Sequence, residues 1–326
     1  MSRRISVLLC CMVILYMFAG CGNKAEEASC VRIGCMKGPT AIGMIKLIDG
    51  ADASGEDATD KVRFQYTIAG TADELSSALM KGDMDIAAVP CNLASILYNK
   101  SQGEIVTVAI NTLGVLYMLE NGESVQSAED LKGKTIYTTG QGTTPEYTLR
   151  YLLASVGLDP DKDVDIQYKS EAPEVLATLK QHPEVIAMLP QPYATVALNS
   201  SPDMRIALDV TKEWEANAGN TVVTGVLVVR KAFLEEQKEN FDAFMKIYEE
   251  STVFAREKTD ETAQLLEKYD VFKADIAKQA IPYCNVTFIT GKEMQEKAGA
   301  YLQILCAENP ASIGGKYEEG MFYGGK

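Results

Sequence analysis

Apolar positions along this chain change repeatedly from every second residue to every third or fourth, and each change marks a strand running into a helix. Val31, Ile33 and Cys35 alternate with other residues, as a short buried strand requires, whereas Ile42, Ile45, Leu47 and Ile48 recur near helical spacing. Lys37-Gly38-Pro39-Thr40 separates the two runs. Gly38 lets the backbone approach a neighbour closely, Pro39 biases Gly38 away from helix, and Thr40 is placed to cap the helical run. Such a unit aims unpaired amide N–H groups and the positive end of a helix dipole beyond the strand's carboxyl end.

The device recurs. Residues 62–68 alternate as a strand, Ala69-Gly70-Thr71 repeats the loop, and Thr71 with Glu74 has the spacing of a capping box. Residues 85–89 are a central strand ended by Pro90, and Pro90-Cys91-Asn92 opens a helix. Three such units predict a parallel sheet with right-handed crossovers. Residues 104–120 are too long for one strand and hold Asn111, Thr112 and Gly114 in the middle, which predicts two strands or one strand passing between domains. A second series comes next, with strands at 134–138, 164–168, 185–189 and 205–210. Its helices begin at Pro145, Pro173 and Tyr193 after loops rich in Thr, Gly, Ser and Pro. Residues 221–229 form another long apolar run with an internal glycine, a second candidate crossing, and residues 231–305 are mostly helical. Two α/β series joined by two long strands predict a bilobed protein whose lobes enclose a cleft at the strands' carboxyl ends.

The ends and the charge narrow this. Arg3 and Arg4, an apolar run from Ile5 to Phe18, and Ala19-Gly20 make a secretory signal too short to span a bilayer. Phe18-Ala19-Gly20-Cys21 resembles a bacterial lipobox, with Phe18 where an aliphatic residue is usual, so Cys21 is the expected lipidated residue and 21–29 a tether. The formal charge is −14 over 326 residues, and −16 without residues 1–20, which excludes nucleic acid and a polybasic membrane patch as partners. Cys30, Cys35, Cys91, Cys284 and Cys306 read mostly as small core residues with one bridge open and unassigned. With His182 the only histidine, no metal or cofactor is expected.

The loop residues are neutral: Thr40, Gly70, Thr71, Asn92, Thr112, Thr139, Gln141, Thr143, Thr144, Ser170 and Gln191. They suit binding without reaction, through hydroxyl, amide and backbone donors. One Thr or Asn at a helix start is a cap in any protein; nearly every central strand ending this way is what points to a ligand. No G-x-S-x-G, Walker loop or complete G-x-G-x-x-G occurs, so no enzyme is expected. Among aromatic residues, Tyr193 after Pro190-Gln191-Pro192 is the best candidate to face a ligand, ahead of Tyr117, Tyr147 and Trp214. In the loop 139–144, Thr144 is expected as N-cap, with Glu146 turned to solvent.

The order of elements resembles that of ABC-importer solute-binding proteins, in the branch handling nitrate, sulfonates, taurine and thiamine precursors. The carriers are VRIGCMKGPTAIGMIKL, AGTADELSSALMKGDMDIAAVP, DLKGKTIYTTGQGTTPEYTLRYLLASVGLDP and AMLPQPYATVAL. The resemblance implies an α/β, two-lobed type II periplasmic-binding-protein fold hinged by two crossing strands. It places lobe 1 at 30–114 and 220–326 and lobe 2 at 115–219. It implies ligand contacts at Gly38, Pro39, Thr40, Gly70, Thr71, Asn92, Thr143, Thr144, and Gln191 or Tyr193, to which the loop argument adds Thr112. Gln191 stands where the family often carries glutamate. The implied role is a lipid-anchored, monomeric, extracytoplasmic protein that hands a small organic anion or a heterocycle to an ABC permease with its ATPase. The alternatives are a ligand sensor for a membrane receptor and, against the signal segment, an enzyme of menaquinone or pyrimidine synthesis with the same fold.

Overall fold

The computed structural model describes residues 29–53 and 62–325. Cys21, with the expected signal segment, lies outside the described residues. Strand β1 (Ser29–Met36) forms where the alternation predicts it, with Val31, Ile33 and Cys35 almost fully buried on one side. It pairs in parallel with β2 (Val62–Ala69) and β3 (Ile86–Pro90), as three strand-loop-helix units require. Beyond β3 the sheet reverses direction. β10 (Val223–Arg230) is antiparallel to β3 and to β4 (Ile105–Leu113), and β11 (Val286–Ile289) is antiparallel to β4. The six strands lie in the order β11-β4-β10-β3-β1-β2.

Asp85, 3% exposed, fastens three of these strands together. It accepts from the backbone N–H of Arg32 at 3.0 Å, from Arg32 Nε at 2.9 Å and Nη2 at 2.5 Å, and from Arg230 Nη1 at 3.4 Å. A buried carboxylate persists only when paired and hydrogen-bonded in this way.

The second sheet has β5 (Leu116–Asn121), β6 (Thr135–Thr138), β7 (Asp165–Tyr168), β8 (Ile186–Pro190) and β9 (Met204–Asp209), ordered β7-β6-β8-β5-β9. The apolar run at 104–120 is therefore two strands in two sheets, with Gly114 and Val115 crossing between them. Glycine is required there by close approach: a Cβ on Gly114 would lie 1.9 Å from Thr211 Oγ1. The run at 221–229 differs from expectation. β10 lies wholly in the six-stranded sheet, and the chain returns through residues 219–222 after helix Val210–Ala218 ends at Gly219 in the left-handed region, φ 70°.

Helices cover both faces of each sheet. Leu149, Leu152 and Val210 bury one face of the second sheet, and Val175, Leu179 and Ala194 the other. The first sheet is packed by Ile45, Phe244 and Tyr248 on one side and by Leu75, Leu97, Tyr301 and Leu302 on the other. The result is a two-lobed α/β fold, each lobe wound on its own sheet. Cys30, Cys35, Cys91, Cys284 and Cys306 all carry free thiols.

Candidate functional site

The carboxyl ends of β1, β3, β6, β7 and β8 open into loops that surround a cavity of about 420 Å³ between the two sheets. From the first sheet come Met36 to Thr40, Gly70, Pro90 and Thr224. From the second come Thr139, Gly140, Thr143 to Pro145, Ser170 to Pro173, Pro190 and Tyr193, with Val115 and Leu116 at the crossing. This is where an open α/β sheet places a ligand. A larger hollow of about 850 Å³, lined by Lys46, Phe64 and Phe254, lies on one flank of the first lobe at the amino-terminal ends of β1 and β2.

Of the expected contact residues, Gly38, Pro39, Thr40, Gly70, Thr143, Thr144 and Tyr193 meet in the cavity wall. Thr71, Asn92, Thr112 and Gln191 are not in it. The Thr71 hydroxyl donates to Glu74 Oε1 at 3.2 Å, so the two side chains bond each other and no capping box forms. Asn92, 1% exposed, lies behind the wall, donating to Ser312 O at 3.0 Å and accepting from Thr144 Oγ1 at 3.1 Å. Thr112 is likewise 1% exposed, within β4. Gln191 is buried because its Oε1 caps helix Tyr193–Leu198, accepting from Thr195 N–H at 3.2 Å and Thr195 Oγ1 at 2.8 Å. A glutamine serves as this internal cap without the cost of burying a charge.

The caps themselves sit one or two residues before where the sequence places them. Gly38, not Thr40, precedes the single helical turn Pro39–Ile42, and Thr40 Oγ1 instead donates to Met36 O at 3.4 Å. Thr144 is the first residue of helix Thr144–Ser155, and Thr143 the N-cap. The Thr143 hydroxyl donates to Gly140 O at 2.7 Å, and Glu146 turns back to accept from Gly142 N–H at 2.6 Å. Loop 139–144 is thus closed on itself, with Gly140 and Gly142 both in the left-handed region at φ 77° and 75°. Glu146, expected in solvent, occupies one N–H that an anion could otherwise use.

Charge in the wall is sparse and balanced. Among the described residues, Lys37 and Glu171 are its only ionised lining groups, and Lys37 Nζ is 3.0 Å from Asp270 Oδ2 at the rim. That hydrogen bond holds the Asp270 carboxyl below the usual carboxylate range. Burial pushes the Tyr193 phenol above its ordinary pKa, with Lys37 opposing and Glu171 adding to the rise, so Tyr193 is a neutral donor at physiological pH. Cys91 lies at the start of helix Cys91–Lys100 beside the wall. Burial raises its thiol well above the ordinary value, which makes it inert as a nucleophile. The wall offers hydroxyls, backbone groups, prolines and one tyrosine ring, a surface that can hold a small molecule. Sequence reading missed Thr224, whose buried Oγ1 has no hydrogen-bond partner among the described residues. Its signal was a polar residue inside TVVTGVLVV.

Two lobes wound on separate sheets around such a cleft define the type II periplasmic-binding-protein class, and solved structures match it along almost the whole chain. An ABC transporter structure from Parabacteroides distasonis superposes with a TM-score of 0.75 at 22% identity, covering 90% of this chain and 98% of that one. The periplasmic aliphatic sulphonate binding protein of Escherichia coli gives 0.71 at 16%, covering 87% and 94%. The periplasmic nitrate-binding protein of Synechocystis gives 0.61 at 13%, covering 87% and 82%. No curated protein sequence matches significantly. The NMT1-like family model matches residues 51–267, and the chain belongs to that family.

Proposed function

We propose that this protein is an extracytoplasmic solute-binding lipoprotein that captures a small organic ligand between its lobes and delivers it to an ABC permease. Lipid on Cys21 would anchor it to the outer face of the cytoplasmic membrane after loss of residues 1–20. Lobe 1 is assigned to 30–114 and 220–326, lobe 2 to 115–219, and the working unit is a monomer that binds without reaction. The observation that carries the reading is the cavity at the carboxyl ends of strands from both sheets, walled by both lobes with neutral donors and apolar surface. The ligand classes that suit this wall are a sulfonate-like organic anion, received by Lys37 and backbone amides, and a heterocycle such as a thiamine precursor, stacked against Tyr193 and the prolines.

Thermal-shift screening of the chain from residue 21 onward against sulfonates, pyrimidines, flavins and aromatic acids tests this. A bound ligand raises the melting temperature by mass action. Titration calorimetry then compares Thr143→Ala and Tyr193→Ala with the distant Ser127→Ala. The reading expects the first two to weaken binding at least several-fold and the third to bind like the parent. Equal affinity in all three places the ligand elsewhere.

A further inference from the structure

Of the two ligand classes that suit the cleft, the wall favours one. An oxyanion needs donors, and several groups placed to supply them are already engaged. Asn92 Nδ2 donates to Ser312 O at 3.0 Å, so Oδ1 is the atom left for Thr144, whose hydroxyl must donate to it at 3.1 Å. A hydroxyl has one proton, and Thr144 keeps only lone pairs for any other partner. Thr143 gives its proton to Gly140 O at 2.7 Å and Thr40 gives its own to Met36 O at 3.4 Å. Gly142 N–H is held by the Glu146 carboxylate at 2.6 Å. Helices Pro39–Ile42, Thr144–Ser155 and Ala172–Gln181 begin at the wall, and each carries a proline in its first two positions, where the missing N–H removes a donor from the helix start.

Charge points the same way. The ammonium of Lys37 is paired with Asp270 at 3.0 Å. Glu171, the other ionised group of the wall, has no hydrogen bond or ion pair to its carboxylate among the described residues. It is the N-cap residue of helix Ala172–Gln181 without capping it through its side chain, and the positive end of the helix dipole favours a carboxylate there without giving it a partner. Lys37 and Glu171 both lie within electrostatic reach of the Tyr193 phenol. The wall thus sets a paired ammonium and an unpaired carboxylate around one aromatic ring. Such a carboxylate attracts a cation or an N–H group and repels an anion.

We propose that the ligand is an amine, neutral or cationic, on an apolar or aromatic body, with Glu171 accepting from its N–H groups and Tyr193 holding the body. Glu171 is then a specificity-determining residue that turns sulfonates away. The inference rests on the cleft being the binding site, and a preference for anions would sink it while leaving that reading intact.

The test uses two probes with the same body and opposite heads, benzylamine and phenylmethanesulfonate, titrated by ligand-observed NMR. The proteins are the chain from residue 21 with Cys21→Ser as parent, Tyr193→Ala, and Glu171→Gln combined with Asp270→Asn. Glu171 and Asp270 are both exposed, and asparagine tolerates the left-handed backbone at Asp270, φ 52°, so the double variant keeps the fold. The parent is expected to bind benzylamine about ten-fold or more tighter than phenylmethanesulfonate, and Tyr193→Ala to weaken benzylamine several-fold. The double variant is expected to lose most of the preference, with benzylamine weakened and phenylmethanesulfonate tightened as Lys37 is released. Phenylmethanesulfonate binding the parent as tightly as benzylamine, or a preference that the double variant leaves unchanged, overturns the inference alone. Binding of neither probe, or amine binding that Tyr193→Ala does not weaken, overturns it together with the assignment of the cleft.

Discussion

At the scale of single residues, the sequence identifies chemical types and misplaces their partners. Thr143 and Thr144 are hydroxyls at a helix start, as their spacing says, yet neither caps the helix with its side chain. Thr143 binds its own loop at Gly140, and Thr144 reaches Asn92, which is 52 positions away and on the other lobe. Glu120 shows the same gap between type and role. It is 3% exposed and accepts from the Ser124 hydroxyl and from the backbone N–H groups of Ser124 and Val125, with Arg205 alongside. Burial pushes this carboxyl's pKa up, but the Ser124 and Val125 hydrogen bonds and the Arg205 charge outweigh it, so it titrates below the ordinary glutamate value. A lowered folded-state pKa contributes stability that is present above the unfolded value, about 4.3, and is lost as pH falls through the folded value. Urea melts of Glu120→Gln should therefore show a deficit at pH 6 that shrinks toward pH 3. A deficit independent of pH would mean that the charge is not what the site uses.

Elements were more legible than residues. Strands β1, β2, β3, β6 and β8 fall within about two residues of the positions their apolar pattern gives, because β3 and β8 are continuous apolar runs buried on both faces while β2 and β6 alternate a more buried with a more exposed face. The crossings were not legible in the same way. A strand that continues and a strand that changes sheets carry the same apolar residues, and only the neighbour decides. Gly114 is the case in point, since its closeness to Thr211 depends on helix Val210–Ala218 packing beside the crossing. Gly114→Ala is expected to cost about 1–3 kcal/mol by overpacking, and adding Thr211→Ala to recover part of that loss by removing the nearest atom. If Gly114→Ala unfolds at the parent's urea midpoint, close approach is not the constraint on this residue.

For the whole molecule, the prediction concerns closure. Two lobes joined by residues 114–115 and 219–222 can rotate about that waist, and ligand binding should lower the radius of gyration seen by solution scattering. Tight binding at constant radius would mean that the cleft is preformed. The balance of Lys37 against Asp270 adds a second reading of the same experiment. An anionic ligand has to compete with Asp270 for the one ammonium in the wall, so its affinity should rise in Asp270→Asn, while that of a neutral heterocycle should not change. Calorimetry on the two proteins separates these cases.

The sequence by itself determined the two α/β series, the loop-bearing carboxyl ends and the family's outline, because strand and helix periods and Gly, Pro and Thr at their junctions are local properties of the chain. Tertiary structure alone decided that β10 runs antiparallel between β3 and β4, since strand order depends on which edges meet and not on what a strand contains. It also decided that Asn92, Thr112 and Gln191 stand behind the cleft wall while Thr224 stands in it. A polar residue at a strand end can satisfy itself against its own helix, as Gln191 does against Thr195, or can line a cavity with its hydroxyl buried and unpartnered among the described residues, as Thr224 does. Which of the two occurs is fixed by the packing of distant segments, and no spacing rule along the chain encodes it.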